Sequence, residues 1–254
     1  YNSIIKDLVR TKNKRDFDRQ YEATIQHALG TAYLADSNYT DIGKAIASLK
    51  KAERIFQSLG EDGYLAPTLV SLGLAYQQES NLTDYSKSLS YYDEAEVIYS
   101  KTADLKNVTV SKRHQGSLLY KMKKFNEAIN AFRSSLSGNE IDSLQEFSFL
   151  ELEYFAGCYL GLGHYYLAHE ILHSAITDSK SRSSKLRNSR IFNSLGIIHH
   201  RFRENEKASS YFQQALVLQR EIFGEDKVEL SLLYHNLGMA EENSSLAISY
   251  FEKS

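Results

Sequence analysis

The sequence of 254 residues predicts an all-α fold, a solenoid of antiparallel helix pairs. A glycine returns at steps of 43, 43, 41, 39 and 42 residues, at Gly30, Gly73, Gly116, Gly157, Gly196 and Gly238. A period near forty residues is typical of repeats in which each unit is one helix pair. The chain contains a single proline, Pro67, so long helices can run without interruption.

A second motif follows each glycine after 9 to 15 residues, and consists of a small, a bulky and another small residue at spacings of four and three. These spacings keep the three side chains on one helical face, and they predict the second helix of each pair. The motifs are Ala45-Leu49-Ala52, Ser88-Tyr92-Ala95, Ala128-Phe132-Ser135, Ala168-Leu172-Ala175, Ala208-Phe212-Ala215 and Ala247-Phe251-Ser254. Because glycine inside a helix costs about 1 kcal/mol relative to alanine, we expect the helices of a pair to cross closely there, where a Cβ would clash.

The two motifs together resemble the tetratricopeptide repeat, most closely in the third and fifth repeats, where the glycine lies 12 residues before the alanine. The long period is similar to that of kinesin light chains and of bacterial peptide-sensing regulators. The resemblance implies a right-handed superhelical solenoid of about six repeats over residues 21–254. The approximate repeats are 21–63, 64–105, 106–146, 147–185, 186–227 and a truncated 228–254.

The N-terminal segment 1–20 carries no glycine motif. Two interpretations stay open for it, an N-terminal cap helix and the second half of a preceding repeat. Because the sequence begins at Tyr1 and ends inside the sixth repeat, we interpret it as a piece of a longer protein.

Composition and charge disfavour several classes of protein. The net charge of −2 and the pI near 6.5 provide no basic excess for phosphate neutralisation, which argues against direct nucleic-acid binding. The single cysteine, Cys158, cannot form an internal disulfide and fits a reducing, cytoplasmic compartment. No apolar run approaches eighteen residues, so we predict no membrane span.

One segment resembles a catalytic motif. His169-Glu170-Ile171-Leu172-His173 matches H-E-x-x-H, in which two histidines bind zinc and the glutamate is the general base. The extension that supplies a third ligand is missing, since Ile176 stands where its glycine would be. A zinc hydrolase therefore remains a remote alternative, and we predict neither a metal nor another cofactor.

The resemblance also implies a binding groove. In the family, the first helices of the pairs line an inner groove with the residues three before, one after and four or five after the glycine. Carried onto this sequence, with Arg190 one turn earlier, the rule gives a groove of Arg113, Ser117, Tyr120, Lys121, Tyr154, Arg190, Asn193, His200, Arg201 and His235. The rule also places His27, Cys158, Ile197 and Met239 there. The N-terminal half of the groove is expected to be apolar, and the C-terminal half polar and cationic.

These observations predict a non-enzymatic scaffold or adaptor that holds a peptide or helix of a partner protein in its groove. The groove cations would pair with acidic residues of that partner. The alternative is a ligand-sensing regulatory segment of a bacterial signalling or transcription-control protein. Self-association through the terminal repeats is also expected, because an array without polar caps leaves an apolar face open.

Overall fold

The computed structural model describes residues 19–35, 41–78, 80–136, 144, 146–176, 182–225, 227–241 and 244–254. Within these ranges the chain forms twelve α-helices and no strand. The helices are α1 Arg19–Ala35, α2 Ile42–Leu59, α3 Asp62–Gln77, α4 Tyr85–Lys101, α5 Leu105–Lys121, α6 Phe125–Ser134, α7 Phe149–Gly161, α8 Tyr165–Ser174, α9 Arg182–Arg201, α10 Asn205–Phe223, α11 Lys227–Ala240 and α12 Ser244–Phe251. The predicted fold class, an all-α array of helix pairs, is confirmed.

The chain divides into two compact units, Tyr1–Ser135 with α1 to α6 and Leu136–Ser254 with α7 to α12. We call them the N-terminal and the C-terminal unit. Within each unit, every helix of a pair contacts its partner, and the first helices of successive pairs also contact one another, α1 with α3, α7 with α9 and α9 with α11. This contact pattern is that of stacked helix pairs.

The helix boundaries refine the predicted repeats. The helix α1 begins at Arg19, inside the segment predicted as a separate N-terminal element, and residues 1–18 of that segment lie outside the described residues. The helix α9 begins at Arg182, a few residues before the predicted border at 185. The other first helices begin within two residues of the predicted borders.

Side-chain caps fix the start of several helices. Asp41, Asp84 and Asp104 each accept a hydrogen bond from the backbone N–H three residues ahead, at 2.9, 2.9 and 3.2 Å. Ser148 and Glu151 form a reciprocal capping box at the start of α7. Each cap satisfies a backbone donor that has no partner inside the helix, and such a cap contributes about 1 kcal/mol.

The repeat glycines make room for the bulky residue of the second helix. A Cβ added to Gly73 would lie 2.5 Å from Cε1 of Tyr92, and one added to Gly196 would lie 2.5 Å from Cε1 of Phe212. The same relation joins Gly30 to Leu49, Gly116 to Phe132 and Gly238 to Phe251. The predicted clash is confirmed at these five crossings, and the nearest atoms belong to the bulky residue rather than to the small residues beside it.

These bulky residues form the centre of each helix pair. Their side chains are between 0 and 2% exposed in the first five repeats, at Leu49, Tyr92, Phe132, Leu172 and Phe212. In the last repeat, by contrast, Phe251 is 41% exposed. The core of both units therefore consists of successive helix crossings. A bulky side chain lies at the centre of each crossing, and at the crossings named above it packs against a glycine of the partner helix.

Candidate functional site

Three first helices of the C-terminal unit lie side by side and carry six of the predicted groove residues. The side chain of Asn236 donates from Nδ2 to Oδ1 of Asn193 at 2.7 Å, which joins α11 to α9. The guanidinium of Arg190 lies 5.4 Å from the ring centroid of Phe149, which joins α9 to α7. The predicted residues on these helices are therefore neighbours in space.

The face of α9 combines two cations with an apolar residue. Arg190, Asn193, Ile197 and Arg201 follow one another at spacings of three and four and share one side of the helix. Both arginines are exposed, and Ile197 is 37% exposed. Within the described ranges, neither arginine has a carboxylate within 4.0 Å. Both can therefore pair with an incoming acidic group.

The neighbouring face of α11 is more apolar than the sequence predicts. Val228, Leu232 and Met239 are 83, 62 and 53% exposed, and His235 lies between them on the same side of the helix. The groove rule omits Val228 and Leu232, because it starts three residues before the glycine. Extending the same register by two turns towards the N-terminus would have found them. We call Arg190, Asn193, Ile197, Arg201, Leu232, His235 and Met239 the α9–α11 face.

Two other predicted residues of this unit, His200 and Tyr154, are half-buried, and Cys158 lies beneath the surface. The ring of His200 is half-buried, with Nδ1 3.2 Å from Oδ1 of Asn205 at the start of α10. Tyr154 is half-buried on α7. The side chain of Cys158 is 0% exposed, and burial raises the pKa of its thiol to about 12. Its predicted place in the groove is therefore wrong, and the thiol is protonated at neutral pH.

The other four predicted groove residues belong to α5 in the N-terminal unit. Arg113 is only 9% exposed. The hydroxyl of Ser117 donates to the backbone oxygen of Arg113 at 2.9 Å, and the ring of Tyr120 lies 5.9 Å from that of Phe125. Lys121 is half-buried at the end of the helix. Because Arg113 and Ser117 are engaged with the protein itself, the α9–α11 face is the better candidate site.

The H-E-x-x-H segment forms part of a ring cluster. The ring of His169 lies 5.6 Å from that of His173 and 5.1 Å from that of His199. His199 in turn stacks on Tyr211 at 5.2 Å and shares a hydrogen bond of 2.6 Å with Glu204, which holds the pKa of that carboxyl below its usual range. In the part of the chain that the structure describes, no group of three His, Cys, Asp or Glu residues is arranged to hold a metal ion.

The N-terminal unit holds a half-buried histidine, His27, whose hydrogen-bond partner determines that Nδ1 carries a proton. The hydroxyl of Thr68 donates to the backbone oxygen of Tyr64 at 2.7 Å, so it accepts the 3.0 Å hydrogen bond that joins it to Nδ1 of His27. Nδ1 of His27 therefore carries a proton and donates it to Thr68. Burial lowers the pKa of His27 from the ordinary value near 6.5.

Because the pKa of His27 is lowered in the folded chain, we expect the free energy of unfolding to fall in mild acid. Because its pKa is lower in the folded chain than in the unfolded chain, the unfolded chain binds more protons as pH falls below about 6.5. The free energy of unfolding should decrease there, and His27→Gln, which retains an amide donor for Thr68, should reduce the decrease. Urea unfolding between about pH 7.5 and pH 5.5 measures the effect. The exposed His235→Gln is the control, and equal pH slopes for the two variants would contradict the assignment.

Paired helices at a period near forty residues, each pair closed by a bulky residue on a glycine, define the class of helix-pair repeat proteins. Residues 187–254 match a family model, that of the tetratricopeptide repeat. The match covers this segment alone, and the chain as a whole shares the fold of solved tetratricopeptide-repeat structures, as its sequence predicts. No curated protein sequence matches the chain.

Solved structures share this fold at low sequence identity. The TPR-like repeats of a Podosopora anserina protein described as a kinesin light chain align with a TM-score of 0.61 and 15% identity, over 82% of this chain and 99% of that one. The MamA RS-1 ArsTM double mutant aligns with a TM-score of 0.58 and 16% identity, over 79% of this chain and 96% of that one. A chain of the APC/C hetero-tetramer Cut9-Hcn1 aligns with a TM-score of 0.52 and 17% identity, over 92% of this chain and 43% of that one. No helix within the described residues is long and apolar enough to cross a membrane.

Proposed function

We propose that the chain is a non-enzymatic scaffold that binds a peptide or helix of a partner protein on the α9–α11 face. The observation that carries the proposal is the exposed apolar strip of Ile197, Leu232 and Met239 beside Arg190 and Arg201. Exposed apolar side chains grouped on one face are typical of protein-binding surfaces. The partner segment would bring apolar side chains to the strip and carboxylates to the two arginines.

The cytoplasm is the proposed location, because the single cysteine makes no internal disulfide. Self-association through the terminal repeats remains a prediction. Ile248 on α12 is 57% exposed and is a side chain on which a second copy would pack.

Removing both arginines should weaken the binding of acidic peptides. We expect peptides selected from a random twelve-residue library on the immobilised chain to combine Asp or Glu with large apolar residues. The variant Arg190→Ala with Arg201→Ala should bind them about tenfold more weakly, since two charge-assisted contacts are lost. Isothermal titration calorimetry measures this change.

The matched control replaces two exposed arginines elsewhere in the chain, Arg54→Ala with Arg133→Ala. This control should retain full affinity, although it changes the net charge by the same amount. A second variant, Leu232→Ala with Met239→Ala, separates the apolar contribution from the electrostatic one. Equal affinity for the unmodified chain and for both α9–α11 variants would place the binding site elsewhere.

A further inference from the structure

The N-terminal unit contains a groove that the α9–α11 face does not include. It lies between the second helices α2 and α4, with α3 below, and has a volume of about 360 Å³. Leu65 and Leu69 of α3 form its floor and are 9 and 2% exposed, while Val97 of α4 stands at its edge and is 53% exposed. An apolar side chain of a partner would therefore find a preformed apolar surface here.

The rim of this groove is acidic. Glu53 of α2 and Asp93 and Glu94 of α4 line it, and no lysine or arginine does. Glu53 forms an ion pair with Lys50 at 2.9 Å. None of the residues that line the groove is a cation that could pair with Asp93 or Glu94 of α4. Oδ1 of Asp93 accepts a hydrogen bond of 3.0 Å from the Gln115 side chain. Each of these carboxylates lies within reach of a group placed in the groove.

The electrostatic environment of Asp93 favours an added cation. Burial raises the pKa of its carboxyl, and the negative charges of Glu96 and Glu94 raise it further. Glu96 forms an ion pair with Lys112 at 3.4 Å. Even so, burial and the two neighbouring glutamates together disfavour the negative charge of Asp93. A guanidinium or ammonium group in the groove would relieve this repulsion.

The repeat supplies an uncharged counterpart of the same groove. In the C-terminal unit, a groove of about 430 Å³ lies along α9 and α10, where Gln213, Gln214 and Val217 line it. Counted from the bulky core residue of each helix, Gln213 and Gln214 occupy the positions of Asp93 and Glu94, and Val217 occupies that of Val97. The α3–α4 side of the first groove and the α9–α10 side of the second therefore occupy the same place in the repeat, and carboxylates line only the first.

We propose that the groove between α2 and α4 is a second docking site, which binds a protein segment carrying arginine or lysine next to an apolar side chain. The long aliphatic stem of either cation covers apolar surface while its charged end reaches a carboxylate at the rim. Arginine fits best, because its planar guanidinium can pair with two carboxylate oxygens at once. This site selects basic segments, whereas the α9–α11 face selects acidic ones, so one chain would hold two partner segments of opposite charge.

Methyl-detected NMR of the whole chain tests the proposal, because leucine and valine methyls line both grooves. The probe is the peptide acetyl-Leu-Arg-Leu-amide, and its neutral match contains citrulline in place of arginine. The arginine peptide should shift the methyl signals of Leu65, Leu69 and Val97, with an affinity about fivefold above that of the citrulline peptide. At Val217 the two peptides should act alike.

Two variants exchange the charge pattern of the grooves. Asp93→Asn with Glu94→Gln should reduce the affinity for the arginine peptide to that for the citrulline peptide, and the amide oxygen introduced at position 93 can still accept the hydrogen bond from Gln115. Gln213→Asp with Gln214→Glu should give the second groove the same fivefold preference. Equal affinity for the two peptides in the unmodified chain, or an unchanged preference in the Asp93 and Glu94 variant, would overturn the proposal. Neither result would bear on the α9–α11 face, whose residues are unchanged.

Discussion

Replacing Phe212 by alanine is expected to lower the free energy of unfolding by about 3–5 kcal/mol. The ring is 2% exposed and fills the space above Gly196. Ala208 and Ala215, one turn away on either side in α10, are 0% exposed and too small to move into the vacated space. The variant therefore leaves a cavity between two helix backbones. Urea unfolding followed by far-ultraviolet circular dichroism measures the loss.

Two further variants, one at position 212 and one elsewhere on α10, show whether the loss of stability is specific to the ring of Phe212. Val217→Ala removes an apolar side chain from α10 that is 54% exposed, and should cost less than about 1 kcal/mol. Phe212→Leu introduces the residue that stands at the matching positions Leu49 and Leu172, and should cost about 1–2 kcal/mol. If Phe212→Ala were no more damaging than Val217→Ala, the ring would not be the centre of the crossing.

The sequence predicts these crossings because their cause is steric and recurs. A glycine that costs helix stability at six positions requires a close neighbour each time, and a bulky residue between two small ones follows each glycine after 13 to 19 residues. Both facts are visible without coordinates. The all-α architecture and the helix pairs follow from the same two motifs, with errors of only a few residues at the helix ends.

The binding surface is predicted less well, because register alone does not determine exposure. The residue directly after the repeat glycine is buried at Cys158, yet Ile197 and Met239 at the same register are 37 and 53% exposed. Burial at such a position depends on the side chains of the adjacent first helices. The lengths of these helices differ from repeat to repeat. The buried Arg113 shows the same effect.

The acidic groove between α2 and α4 was not predicted for a different reason. Its lining comes from three helices, and the sequence gives the face of each helix but not the width of the gap between them. The acidic pair Asp93-Glu94 by itself is typical of a solvated helix surface. Only the exposed Val97 above the buried Leu69 distinguishes it.

Two glycines of α3 should respond to alanine with opposite signs. Gly63 lies in the first turn, and nothing stands within 4 Å of an added Cβ. Gly63→Ala should therefore stabilise the chain by about 0.5 kcal/mol, because alanine has the higher helix propensity and restricts the unfolded chain. The same change at Gly73 places Cβ 2.5 to 2.9 Å from three carbons of the Tyr92 ring.

The ring of Tyr92 cannot move away from that Cβ, because it is 0% exposed and the close atoms belong to the ring itself rather than to a flexible end. Gly73→Ala should thus cost about 2 kcal/mol despite the gain in propensity. In a Tyr92→Leu background the cost should fall by more than about 0.5 kcal/mol, since the smaller side chain relieves the overlap. Thermal and urea unfolding of the four variants measures this coupling. A stabilising Gly73→Ala, equal to Gly63→Ala, would mean that the glycine period has a cause other than the helix crossing.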